Sequence, residues 1–338
     1  MRHIWLIVIV VLTTVFLNLP LAVAGPIPAL NLQDLVRDSD LIAVGRVAAV
    51  QEAERANIDA DGQSISARQM IATVEIYRVV KGRPDETSIR VGFLVPEIPL
   101  GYAGIAAPQF GMFFLRRSAK REYVVVNPYY PFVVASTNAP LGKGSDLDRV
   151  TAEVAQVLVV PGASPDERRR AIDVLARVNT NLATVALRSA AKDRNAPVRL
   201  KAAAVLLRRD DASILSSVED VLVNPPQGID PGLLRSLAFA IQDGIKNHES
   251  IPVLVRLLRA RDVQTRRAAA AALRHTEADA AIAPLSEALE DADREVRYHA
   301  VLGLAIITGQ TEWGPAIDQF ERDEHRYMTY WREWVRRR

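Results

Sequence analysis

DREVRYHAVLGL, residues 293–304, places Arg297 three residues before Ala300 and seven before Leu304. The same spacing recurs as Arg266, Ala269, Leu273, as Arg199, Ala202, Leu206, and as Arg168, Ala171, Leu175. Arg235 and Ala238 begin a further copy, in which Gln242 stands where leucine is expected. Successive arginines lie 31, 36, 31 and 31 residues apart, a period that marks stacked helical units. Alanine lets helix backbones approach closely, and leucine one turn later fills the seam. A single unit cannot bury its apolar face, so neighbours must stack into a continuous core.

Helix signals divide each unit into two. Ser164-Pro165-Asp166-Glu167 has a capping serine, a proline in the first turn and a glutamate that completes a capping box. The expected pairs are 168–178 with 182–191, 197–208 with 212–223, 232–243 with 249–260, 263–274 with 280–290, and 294–307 with a segment from 313 onward. Pro252, Pro284 and Pro315 mark starts of second helices. The proline- and glycine-rich NPPQGIDPG (224–232) coincides with the deviant unit and is expected to alter local curvature without ending the array. At the C-terminus, Tyr327, Tyr330, Trp331 and Trp334 recur at helical spacing. This pattern fits a capping helix or, alternatively, a docking patch built on Trp331 and Trp334.

DREVRYHAVLGL follows the Asp-x-x-Val-Arg-x-x-Ala-x-x-x-Leu pattern, and residues 163–325 as a whole resemble the HEAT-type repeats of bacterial exported and lyase-associated proteins. The resemblance implies an α-solenoid of about five helix pairs over 163–338. It also implies that Asp262 and Asp293, four residues before repeat arginines, form ladders with those arginines between neighbouring units.

Upstream of the array the texture is that of strands. LIAVGRVAAV (41–50), RQMIATVEIYRVVKG (68–82), TSIRVGFLV (87–95), GMFFLRRS (111–118) and REYVVVNPYYPFVVAS (121–136) are strand candidates. The polar run Glu52 to Ser64 between the first two is expected to be a mobile connection. Short strands separated by glycine, proline and charge indicate a small antiparallel barrel or sandwich over 25–136. Residues 137–162 then form a linker and a lead-in helix. Asp40, Gly45, Lys81-Gly82 and Gly111 lie in a layout that resembles the OB-like barrel of netrin-like and tissue-inhibitor-like domains. The protease-blocking activity of the animal inhibitors depends on cysteines, and this chain has none.

The first 24 residues have the layout of a signal peptide. A short basic lead, Met1-Arg2-His3, precedes the apolar run Ile4 to Leu17, and Ala22-Val23-Ala24 supplies a small-x-small cleavage site. The expectation is a periplasmic or secreted bacterial protein without a stable membrane span after cleavage. An uncleaved inner-membrane anchor is the alternative. The absence of cysteine excludes disulfides, thiol nucleophiles and thiolate metal sites. A formal net charge of +2 gives no reason to expect nucleic acid.

Catalytic signals are sparse. The five histidines are dispersed, with no HExxH. HEAT-type deoxyhypusine hydroxylases bind iron through several His-Glu dipeptides, whereas His248-Glu249 is a single one. No catalytic, cofactor or metal residue is assigned. The expectation is a non-enzymatic scaffold that binds a protein or peptide along the second helices, with Arg256 and Arg259 as contacts. Tyr129 and Tyr130 in NPYYPF are candidate contacts on the β-domain. The competing expectations are a HEAT-like lyase or enzyme accessory protein, and inhibitor-like binding through the β-domain.

Overall fold

The computed structural model describes residues 27–60, 62–118, 122–138 and 142–338. The segment read as a signal peptide lies outside these residues. A short helix, α1 (Leu32–Asp38), leads into six strands: β1 (Leu41–Ala60), β2 (Gln63–Lys81), β3 (Ser88–Pro96), β4 (Phe110–Arg117), β5 (Tyr123–Val125) and β6 (Phe132–Val133). The pairings β1–β2, β2–β3, β3–β5, β5–β4 and β4–β1 run in a cycle, and β6 adds to β4 outside it. One pairing departs from the antiparallel expectation: β3 and β5 are parallel.

Period-two alternation explains why residues 41–45 of β1 and 110–115 of β4 are apolar without interruption. Leu41 and Ala43 of β1, with Phe113 and Leu115 of β4, belong to a core enclosed by the strands, together with Val74, Val91 and Phe93. Their neighbours Ile42, Val44, Met112 and Phe114 face the other way and join the core of the helical region. Both faces of these strands are therefore buried, so no wet face breaks the hydrophobic run. Gly111 is required where β6 crosses β4. A side chain there would meet the Phe132 ring at 2.7 Å and the Val133 carbonyl oxygen at 2.8 Å.

The run from Glu52 to Ser64 is not a mobile connection. β1 and β2 stay paired, past a register shift between Glu52 and Glu54, through Asp59↔Ser64 and Ala60↔Gln63, forming a long hairpin arm. Most of its side chains are exposed, Ile58 being an exception. With both faces wet, the arm has no alternation to read, and the backbone ladder holds it. The candidate strand at 121–136 resolves into β5 and β6, separated by a turn at Asn127–Tyr130. The 95–111 loop is pinned at several points. Ala103 N–H donates to the Pro128 carbonyl, Tyr102 meets Tyr129 edge-on at 5.1 Å, and Ile105 is buried.

The helical region starts with α2 (Asp146–Gln156). First helices follow as α3 (Pro165–Leu175), α5 (Ala196–Leu207), α7 (Pro231–Gly244), α9 (Val263–His275) and α11 (Arg294–Thr308). Second helices are α4 (Asn181–Ala190), α6 (Leu215–Val223), α8 (Ile251–Leu257) and α10 (Ile282–Ala288), with α12 (Ile317–Arg322) and α13 (Glu324–Arg337) at the end. Ala171, Ala202, Ala238, Ala269 and Ala300 are all buried, as are Leu175, Leu206, Leu273 and Leu304. Gly244 replaces a side chain where α7 meets the end of α5, since a Cβ there would lie 2.1 Å from the Leu207 carbonyl oxygen.

The repeat arginines do form a ladder, but with other partners than expected. Asp262 and Asp293 cap α9 and α11 through the backbone N–H groups of Thr265 and of Glu295 and Val296. Arg266 instead pairs with Asp291 of the next unit at 2.8 Å and donates to the Ala260 and Arg261 carbonyls. Arg297 does the same with Glu324 at 2.6 Å and the Asp291 and Ala292 carbonyls, and Arg168 pairs with Asp193 at 2.9 Å. Asp293 carries a second rung, accepting both Nε and Nη2 of Arg267. The ladder lapses at the 224–232 insertion. Arg199 keeps its carbonyl contact with Asp193 at 2.7 Å, but residue 224, where an acid would stand, is asparagine. Arg235 is exposed.

The sheet and the helices share one core, running from Ile42, Met112 and Val133 through Leu32 and Leu35 of α1 to Val150 and Val154 of α2 and onward. A buried ion pair fixes the junction. Arg78 of β2 meets Glu153 of α2 at 2.7 Å, with Glu153 only 1% exposed, and also donates to the Ser136 and Thr137 carbonyls.

Candidate partner-binding cleft

Between the β-domain and the first helices lies a cleft of about 800 Å³, a size typical of ligand sites. Phe110, Tyr130 and Phe132 form one wall. Opposite them, α3 and α5 with the residues that follow each contribute Arg170, Arg177, Lys201 and Arg208. Glu167 and Asp173 lie on the same side, so the wall carries four cations against two carboxylates. Lys201 is paired with Asp173 at 2.7 Å. Arg170, Arg177 and Arg208 are exposed, and their guanidinium groups make no ion pair or hydrogen bond among the described residues. Glu167 is held below the usual carboxylate range, first by the Ser164 backbone N–H it accepts in the capping box, with Arg170 a minor contributor.

These cations occupy two positions in the repeat. Arg170 and Lys201 stand two residues after a ladder arginine, where the later units have Leu237, Ala268 and His299. Arg177 and Arg208 stand nine residues after, where the later units have Gly244, His275 and Ile306. Comparing units position by position would have singled them out, because the cation is confined to the units beside the β-domain. Phe239 of α7, 56% exposed and one turn beyond the cleft-lining Ser236, continues the surface.

The contacts expected from sequence fall in different places. Arg256, on a second helix, is engaged by Glu219 through both Nε and Nη2, the latter at 2.8 Å. That contact raises the Arg256 pKa above its ordinary value and lowers that of Glu219. Arg259 remains exposed, 3.5 Å from Glu287. Neither residue lines the cleft. Tyr130 does, with its hydroxyl donating to the Pro28 carbonyl at 2.8 Å. Tyr129 packs against Tyr102 instead.

Trp331 is fully buried and its indole N–H donates to the Trp313 carbonyl, so it offers no surface to a partner. It belongs to the terminal cap, where Trp313 and Tyr330 stack at 3.8 Å. Trp334 is half-buried beside a groove with Ile282, Ala283 and Arg338.

A second unusual group is His299 of α11. It is 7% exposed, and neither ring nitrogen has a hydrogen-bond partner. Burial, reinforced by Arg274, pushes its pKa down to about 4, so the ring is neutral. His248 lies at an exposed turn after α7. Among the described residues no group of three or more histidines and carboxylates is arranged to hold a metal ion.

The family model for HEAT repeats matches residues 230–305, the stretch from α7 into α11. Among solved structures the chain is similar to YibA of Escherichia coli, at 19% identity over 49% of this chain and 67% of that one, with a TM-score of 0.32. It is also similar to human deoxyhypusine hydroxylase, solved with glycerol, at 16% identity over 55% and 72% of the two chains and a TM-score of 0.26. No curated protein sequence matches. HEAT-repeat character in the helical region therefore rests on the family match together with the buried alanine and leucine columns.

Proposed function

We propose that this is a non-enzymatic, exported scaffold protein whose partner docks in the cleft between the β-domain and the solenoid. The observation that carries this is the opposition of three aromatic rings to exposed arginines without ionic partners, across a junction fixed by Arg78 and Glu153. Aromatic and arginine side chains are favoured anchors at protein interfaces, and a rigid junction reduces the ordering cost of binding. The docking face therefore moves from the second helices, where Arg256 is already engaged, to the first helices. The cycle of strand pairings supports reading residues 25–136 as an OB-like barrel. Export rests on the basic lead, apolar run and Ala22-Val23-Ala24 site of the N-terminus. Among the described residues no helix is long and apolar enough to cross a membrane.

The test is photo-crosslinking in the native envelope, with a photoreactive amino acid at Phe132 and, as a control, at Val185, which is exposed on α4. One identified protein captured from position 132 and not from 185 is the expected result. Equal capture at both positions, or none, contradicts the proposal.

A further inference from the structure

β6 is hydrogen-bonded on one side only: it pairs with β4 and ends the sheet order. Phe132, Val133, Val134 and Ala135 all line the cleft. Consecutive side chains of a strand point to opposite faces, and Phe132 and Val133 of β6 both border the cleft, so the edge of the strand faces it. Beyond the ladder to β4, the backbone of residues 132–135 makes no hydrogen bond among the described residues. An unpaired strand edge is a template for a further strand, and backbone N–H and C=O groups beside a packed core favour a partner.

The chemistry opposite that edge restricts the occupant. Arg170, Arg177 and Arg208 lack anionic partners among the described residues, whereas the ladder arginines Arg168, Arg266 and Arg297 each have one. Glu167 and Asp173 on the same wall disfavour a continuous phosphate backbone but are compatible with carboxylates spaced along a chain. Phe110, Tyr130 and Phe132 provide an apolar wall for side chains between the acids.

We infer that the cleft binds an extended acidic peptide segment of a partner protein, which adds as a strand to the open edge of β6 while its carboxylates meet Arg170, Arg177 and Arg208. This rests on the proposed docking function and adds the mode and the chemistry. Main-chain bonds would give affinity, and alternate side chains would give specificity.

The test uses the full chain and a displayed library of random peptides of about ten residues, enough for one strand. Selected peptides should be rich in Asp and Glu with apolar residues at alternate positions. Their affinity should fall at least about tenfold, or about 1.4 kcal/mol, in Arg177→Glu/Arg208→Glu. It should fall similarly when alternate peptide amides are N-methylated, which removes the donors a β-ladder needs. Selection of basic or uncharged peptides, failure to select any, or binding indifferent to N-methylation would overturn the inference. Any of these results alongside specific capture at position 132 would leave the docking function standing. Absence of that capture removes the function itself.

Discussion

The arginines of the ladder and the arginines of the cleft are the same residue type in one repeat array, yet their surroundings differ. Arg266 and Arg297 are less than one-fifth exposed, hold a carboxylate of the following segment, and tie down two carbonyls of the preceding turn. Arg177 and Arg208, displaced nine residues along the repeat, point into an open space shared with aromatic rings. The first group recurs along the array and pairs with an acid of the following segment at Arg168, Arg266 and Arg297, lapsing only around the 224–232 insertion. The second is found only in the first two units, whose α3 and α5 supply most of the helical lining of the cleft. A side chain's position within the repeat, more than its type, decides whether it is paired inside the array or left open to the cleft.

The largest expected effect is on the ladder side. Arg266→Ala leaves Asp291 and the Ala260 carbonyl without their partner in a mostly buried setting. Removing one member of such a pair costs about 3–5 kcal/mol, measurable as a lower midpoint in chemical denaturation. Unchanged stability would break the distinction between the two groups of arginines.

His299 comes next. Its folded pKa of about 4 lies below the ordinary 6.5, so above pH 6.5 both folded and unfolded states hold it neutral. As the pH drops from 6.5 toward 4, only the unfolded state takes up the proton, and stability falls. Fully expressed, the shift corresponds to about 3 kcal/mol. His275 is depressed by burial too and steepens the same loss. Comparing stability between pH 7 and 4.5 for the native chain and His299→Leu isolates the contribution, since the variant should lose less. Parallel curves would show that His299 is not buried and neutral.

Arg256→Ala should be the mildest of the three. Its pair with Glu219 involves an arginine side chain more than half exposed, and such pairs contribute less than about 1 kcal/mol. A melting curve close to that of the native chain is expected, with partner capture at position 132 unaffected. Loss of capture would return the docking face to the second helices.

Much of this architecture was legible in the sequence, and the misreadings have physical causes. The 31-residue spacing located the units because buried alanines and leucines tolerate little change. Which acid pairs with which arginine was not legible because Asp291 and Asp293 are two residues apart: Asp291 takes Arg266, while Asp293 both caps α11 and takes Arg267. The hairpin arm was invisible because backbone pairing leaves no mark on side chains that are wet on both faces. Trp331 read as a possible anchor because an aromatic residue at helical spacing looks the same whether it is buried or exposed. The cleft was not legible as such, since it forms only where the β-domain, packed on α1 and α2, faces α3 and α5 across an open space.

The central claim is tested most directly by measuring melting and partner capture together in Arg177→Glu/Arg208→Glu. Exposed substitutions of this kind change stability by about 0.5 kcal/mol or less. The predicted result is therefore native melting behaviour with crosslinking at position 132 reduced at least about tenfold, as expected for lost charge-assisted contacts. Undiminished capture in a normally folded double variant would contradict the account.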